Sequence, residues 1–466
     1  MFYIINEPTK YCMEKLVIIG SGSGGLPVAS TVARFRKNHY DITVITKDLD
    51  LAYSPCGIPY VLKGDIPSYK DLIMRSKEHY REHGIKILTN TAVEEIDSQR
   101  KRIRYKSTWL DYDFLVIATG TSQRIPHVKG IELDGVFSAH IKTLKDAENF
   151  EKYISNIKKP LKVIITGSSS IDIEFAIGLK ERGHEVTVAG KARHLMPDRL
   201  DSDMGEYVRV YLQSMGIRII TMHEPFEITG TGRVESVNFG DLTLPADILL
   251  LGTDFIPETT LAKSAGFDAD EYGINIDEKA RVLKKGKHVE GIYASGACAR
   301  AINKATGKRD FMYTGSTSIQ KSRIVSEQLL GIDASITGST NPRISVLKDL
   351  HIGTVGLTSE EAAKHNIAVK AGFAEQKSTA RYYPGGIAVY FKLLFEKNTL
   401  KLIGAQMISS GYGIKERVDA MSIALSCGAT AKELGHLETA YAPPVSQIND
   451  VMVEIANRVW LGKNIR

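Results

Sequence analysis

The chain has 466 residues, 43% of them hydrophobic and 24% charged, the balance of a globular protein with room for two or three domains whose cores need no staples. Its net charge of +6 comes from 60 basic and 54 acidic residues without a dense basic block. That argues against a nucleic-acid binder and for mild attraction of anionic small molecules such as nucleotides. Four widely spaced cysteines (Cys12, Cys56, Cys298, Cys427), no basic-then-apolar leader and no apolar run of membrane-helix length predict a reducing cytoplasm and no membrane span.

In chain order, Lys15-Leu-Val-Ile-Ile19 is an apolar run that stops at Gly20-Ser-Gly-Ser-Gly-Gly25 and leads into the helically spaced Leu26 to Phe35. The order is strand, glycine turn, helix. Asp41-Ile-Thr-Val-Ile-Thr46 follows at the distance of a βαβ crossover, which predicts a parallel sheet with a ligand at its carboxyl edge. The pattern then recurs: Lys162-Val-Ile-Ile-Thr166, a turn from Gly167, a helix through Ile173 to Arg182, and the strand Glu185-Val-Thr-Val-Ala189. An internal duplication of the dinucleotide fold is the economical account. From about Pro342 the character changes to an α+β unit, with Val355 to Thr358, the strand-like Gly386 to Phe391 and the helix-like Ile414 to Leu425.

Gly20-x-Gly22-x-x-Gly25 has the strand and helix context that the dinucleotide fingerprint requires. Gly20 serves the tight turn, Gly22 the approach of a pyrophosphate and Gly25 the packing of helix on strand. The second strand should end in an acid for a ribose hydroxyl pair, yet Thr46 and Lys47 stand there, which loosens adenosine binding without excluding it.

Ser54-Pro-Cys-Gly-Ile-Pro-Tyr60 resembles the active-site segment of the pyridine nucleotide-disulfide oxidoreductases, in the single-cysteine branch of coenzyme A disulfide reductases, NADH oxidases and persulfide reductases. Val61 occupies the place of the second cysteine of the two-cysteine branch, so an internal disulfide there is ruled out. Tyr112 to Gly120, Leu251 to Pro257 and Gly291 to Ala297 are similar to the family's segments around its cofactors, and Tyr382 to Gly385, Ile403 to Gln406 and Ala440 to Pro444 to those of its dimerisation domain.

The resemblance implies an α/β fold of two interleaved Rossmann-like dinucleotide-binding domains plus a C-terminal α+β dimerisation domain. The FAD-binding parts are expected at 1–150 and 276–340, an NAD(P)H-binding-like domain at 151–275 and the dimerisation domain at 341–466. It implies FAD and NADH or NADPH as cofactors, with cofactor contacts at Gly20, Gly22, Gly25, Thr46, Lys47, Val93, Ala118, Thr119, Gly120, Gly167, Glu174, Lys191, Gly296 and Ala297. Cys56 becomes the redox thiol, its pKa depressed at a helix N-terminus beside an oxidised flavin. The other cysteines read as structural. The resemblance also implies a homodimer in which Tyr441, or secondarily a tyrosine of the Tyr382-Tyr383 pair with Tyr383 the choice, approaches the partner's redox cysteine. Coenzyme A is the expected thiol partner, and Arg34, Arg36 and Lys37 are either its phosphate contacts or a solvated helix end.

Three departures stand against this. The second turn reads Gly167-Ser-Ser169-Ser-Ile-Asp172-Ile-Glu174, with two of three glycines replaced, so a Cβ at Ser169 and the Asp172 carboxylate should weaken NAD(P)H binding. Gly190, followed by Lys191 and Arg193, replaces the acid that selects NADH, and Ala297 replaces an aspartate that bonds the flavin ribityl chain. The rival expectation is a non-catalytic descendant that binds a nucleotide or coenzyme A.

Overall fold

The computed structural model describes residues 13–462 apart from 139, 140, 158, 253 and 412, so Cys12 lies outside the described residues. The first apolar run forms the strand Glu14–Ile19, which pairs in parallel with Tyr40–Ile45 on one side and Phe114–Ile117 on the other. The strand Ile85–Leu88 extends one edge, and Lys287–Ala294 with its hairpin partner Arg281–Lys284 extends the other. The inner strands are apolar on both faces because helices cover them, including Leu26–Phe35, which packs on Gly315–Leu329.

A second parallel sheet, in the order Arg218–Thr221, Glu185–Gly190, Lys162–Thr166, Ile248–Leu251, Val136–Ser138, is built from the intervening chain. Since residues 281–294 return to the first sheet after the second is complete, the two units are interleaved. The last unit is a five-stranded antiparallel sheet from Arg343–Leu347 to Leu402–Ser409, backed by the helices Ile414–Ser426 and Val451–Trp460 around Phe391, Phe395, Met421 and Ile455. The predicted α/β architecture is therefore present.

One packing contact positions the chemistry. The short helix Ile58–Lys63 lies on Ser170–Glu181 at Gly178, where an added Cβ would come 3.6 Å from Leu62 and the Pro59 carbonyl oxygen. Glu174 is one turn before Gly178 on the same helix face, so this contact brings Glu174 towards the segment holding Cys56.

Candidate active site

Both glycine turns open into a single cavity of about 2770 Å³, well above the roughly 300–1,000 Å³ of an ordinary small-molecule pocket. At the first turn Gly20 has φ +111°, and a Cβ there would strike the Ala118 carbonyl. A Cβ on Gly22 would meet nothing within 4 Å, because that face of the turn borders the open cavity. Gly296 approaches so closely that a Cβ on Gly24 would lie 2.6 Å from its Cα. Backbone and helix end are thus bare towards the cavity, an arrangement that fits a diphosphate.

The Thr46 hydroxyl is occupied inside this turn. It accepts from the Ser21 hydroxyl at 3.1 Å and from the Asp48 N–H at 3.2 Å, and it is 3% exposed. Asp48 also borders the cavity, so a carboxylate reaches this corner from three residues beyond the strand end at Ile45. Lys47, Val93, Ala118, Thr119, Gly120, Gly296 and Ala297 border the same space, with the Thr119 hydroxyl donating to the Glu258 carbonyl at 2.6 Å.

Cys56 sits in the 3₁₀ turn Pro55–Gly57, ahead of the Gly57 cap of the Ile58–Lys63 helix, and its side chain is open to the cavity. The chain's own groups act on the thiol in both directions. Burial pushes Cys56 up, the Glu174 carboxylate adds to the rise, and a backbone hydrogen bond and Arg199 oppose it. A six-residue helix that starts two residues later supplies too little positive potential to reverse this. Glu174 is itself pushed up to about 7 by burial, with Arg199 pulling the other way. The sequence marked Glu174 only as the end of a glycine pattern, whereas the fold makes it a proton-holding group that titrates near neutrality in the thiol's cavity.

The second turn has the same topology and a different filling. Asp172 is 2% exposed and folds back so that its Oδ2 accepts from the Ser169 N–H at 2.8 Å and from the Ser169 hydroxyl at 2.6 Å, completing a capping box. One backbone N–H at the start of this helix is thereby taken by the chain's own carboxylate. A pyrophosphate meets a carboxylate and one occupied N–H here, so the second turn offers a diphosphate fewer free donors than the first. Gly167 and Lys191 border the cavity, and Lys191 makes long, exposed ion pairs with Glu224 at 3.9 Å and Asp254 at 4.0 Å.

The family described as pyridine nucleotide-disulphide oxidoreductase matches residues 14–314, and its dimerisation domain matches residues 343–452. The chain belongs to the pyridine nucleotide-disulphide oxidoreductases. It is 36% identical to an NADH oxidase of Methanocaldococcus jannaschii over 94% of this chain and 96% of that one. It is 30% identical to a CoA-dependent NAD(P)H sulfur oxidoreductase of Pyrococcus furiosus over 95% and 98% of the two chains. An NAD-dependent persulfide reductase from A. fulgidus superposes with a TM-score of 0.90 at 29% identity, covering 96% of this chain and 83% of that one. The protein is thus an enzyme of a flavin-dependent family, and the expectation of a non-catalytic descendant is set aside.

Within this oxidoreductase the candidate tyrosines are held in different ways. Tyr441 pairs hydroxyl to hydroxyl with Tyr382 at 2.8 Å, and that bond raises the Tyr441 pKa. Tyr383 is instead held through its backbone, its N–H donating to the Ala380 carbonyl and its own carbonyl accepting from Thr379. Neither Tyr441 nor Tyr383 borders its own chain's cavity. Cys298 is buried and its thiol lies against the Ser295 carbonyl at 3.1 Å, a structural setting, while Cys427 is exposed at the end of the Ile414–Ser426 helix and packs no core. Arg36 donates to the Leu330 carbonyl at 2.8 Å, which ties it to the neighbouring helix end. No helix among the described residues is long and apolar enough to cross a membrane.

Proposed function

We propose that the protein is an FAD-dependent reductase in which Cys56 is the single redox thiol, reducing a disulfide, persulfide or oxygen species with electrons from NADH or NADPH. The observation that carries this reading is that the bare first glycine turn and the open Cys56 share one cavity. A bound flavin supplies two-electron transfer between a reduced nicotinamide and the Cys56 sulfur.

The chain's residues divide the remaining work. Gly20, Gly22 and Gly25 leave room for the flavin diphosphate, Asp48 beside Thr46 and Lys47 takes the ribose hydroxyls, and Val93, Ala118, Thr119, Gly120, Gly296 and Ala297 form the walls. Gly167, Glu174 and Lys191 lie on the nicotinamide nucleotide's side. Glu174, protonated near neutrality, spares the Cys56 thiolate a neighbouring negative charge and holds a proton within its cavity. Because Tyr441 and Tyr382 are 41% and 75% exposed and absent from the lining of their own chain's cavity, they are assigned to the site of a second protomer. Exposed Val445 and Ile448 nearby in sequence, at 69% and 77%, give such a homodimer apolar surface to bury. Coenzyme A, on which the Pyrococcus furiosus relative is described as dependent, is the candidate thiol, and the cytoplasm the candidate compartment.

The test is the visible spectrum of the purified protein before and after anaerobic NADH or NADPH. Flavin bands that bleach are expected, and Cys56→Ser should keep them while turnover drops by about 1000-fold or more. A colourless protein that FAD does not reconstitute overturns the reading.

A further inference from the structure

Beyond the cysteine and the two turns, the cavity wall carries a pair of arginines that neither glycine pattern accounts for: Arg199 and Arg343. Their placement is built in. Met196, fully buried with φ +54°, donates its N–H to the Ser168 carbonyl at 2.7 Å and accepts from the backbone N–H groups of Arg199 and Leu200. That tight turn directs Arg199 inward, with its side chain 15% exposed, and Arg343 enters at the first residue of the strand Arg343–Leu347, 9% exposed.

The two guanidinium groups are satisfied unequally. Arg343 takes the Asp198 carboxylate at 2.5 Å, bonds Asn341 Oδ1 at 3.2 Å and lies over the Tyr313 ring. Arg199 donates one bond to the Ser345 hydroxyl at 2.9 Å, while its Nε is 3.7 Å from the same Asp198 carboxylate and buried without a hydrogen-bond acceptor. A guanidinium has five N–H donors, and a buried one short of acceptors is costly unless a ligand completes it. Asp198 is already committed to Arg343, and the other acid whose charge acts on Arg199, Glu174, is not fully ionised at neutrality. The charge of Arg199 reaches Cys56 across this space.

We propose that Arg199 forms an anion subsite beside Cys56, and that the sulfur substrate reduced there carries a negative charge close to its sulfur–sulfur bond. This rests on the reading of Cys56 as the redox thiol. The subsite favours inorganic sulfur oxyanions and disulfides bearing carboxylates over neutral disulfides, because only they replace the acceptor that Arg199 lacks.

The experiment uses the flavin-loaded full chain with Cys12→Ser and Cys427→Ser, so that Cys56 is the accessible thiol. Three reagents are compared by their second-order rate of reaction with Cys56: tetrathionate, 5,5′-dithiobis(2-nitrobenzoate) and neutral 2,2′-dithiodipyridine. In each, the Cys56 thiolate attacks one sulfur, a mixed disulfide forms, and the other half leaves as the reduced anion or thiol. The ratio of anionic to neutral rates should fall about tenfold in Arg199→Gln and be retained in Arg199→Lys. Taking the ratio cancels any change in thiol pKa or general loosening, since both act on all three reagents. A fall for tetrathionate assigns the subsite to inorganic sulfur anions, and a fall confined to the dicarboxylate assigns it to organic ones. An unchanged ratio, or an equal fall for all three, overturns the subsite. Failure of Cys56 to react with any reagent while flavin is bound overturns instead the reading on which the proposal rests.

Discussion

The first and second glycine turns have the same place in the same topology, each following the central strand of a parallel sheet and opening a helix. They differ in what occupies the helix end. At the first, a Cβ on Gly22 would point into open space and the helix end carries no side-chain cap. At the second, Asp172 turns back and takes the Ser169 N–H. Repeating a fold twice therefore does not repeat its binding site. The N–H groups that make a helix N-terminus attractive to phosphate are the same ones that an N-terminal acid satisfies, so one carboxylate can convert an anion cradle into a self-sealed cap.

The sharpest way to break the comparison is to fill the open turn. Gly22→Val should lower FAD affinity on the order of 100-fold while leaving folding intact, because its side chain projects into the cavity and not into protein. Equilibrium titration of the apoprotein with FAD, beside a thermal melt, checks both halves. An unaltered affinity would remove the first turn from the flavin site.

The converse change opens the closed turn. Ser169→Gly with Asp172→Gly should tighten NADH binding about tenfold in calorimetry on the flavin-loaded protein, while the lost cap lowers stability by roughly 1 kcal/mol. Asp172→Asn separates charge from shape: if charge is what repels the diphosphate, it recovers most of the gain. Weaker binding in both variants would mean that the Asp172 cap supports the dinucleotide site.

The smallest effect concerns the helix shared by the closed turn and the cysteine cavity. Glu174 has a folded pKa of about 7 against an ordinary 4.5, so the folded state binds more protons between these values. Its contribution to stability is full below about pH 4.5 and is lost as pH rises through about 7. Glu174→Gln should flatten that part of the stability profile by about 1 kcal/mol after allowance for screening by solvent in the cavity, as urea melts at pH 5 and pH 8 would register. A profile that the substitution leaves unaltered would place the Glu174 pKa near its ordinary value.

Much of this was legible in the chain itself. The strands around Lys15, Asp41, Lys162 and Glu185 were visible because strands buried on both faces must be apolar throughout, and the turns because glycine marks the required backbone shape. The helix Leu26–Phe35 has the bounds its spacing predicted. Cys56 stood out through its neighbours in sequence. What stayed hidden depends on how the folded chain places its groups: Asp48 reaching the cavity corner beside Thr46, Tyr382 and not Tyr383 pairing with Tyr441, and Glu174 brought towards the Cys56 segment through the contact at Gly178.

Lys321 shows the limit most plainly. Its sequence position reads as an ordinary helix lysine, yet it is 1% exposed, donates to the Ala299 carbonyl at 2.5 Å and is pushed down to about 8 by burial. The sequence by itself determined the duplicated α/β pattern, the first glycine turn and the cysteine proposed as the redox thiol, because local backbone shape and periodic apolarity are encoded within a few residues. Only the tertiary structure decided which N–H groups were already taken and which charges were buried together, because hydrogen-bond satisfaction and desolvation are properties of whatever the folded chain brings alongside.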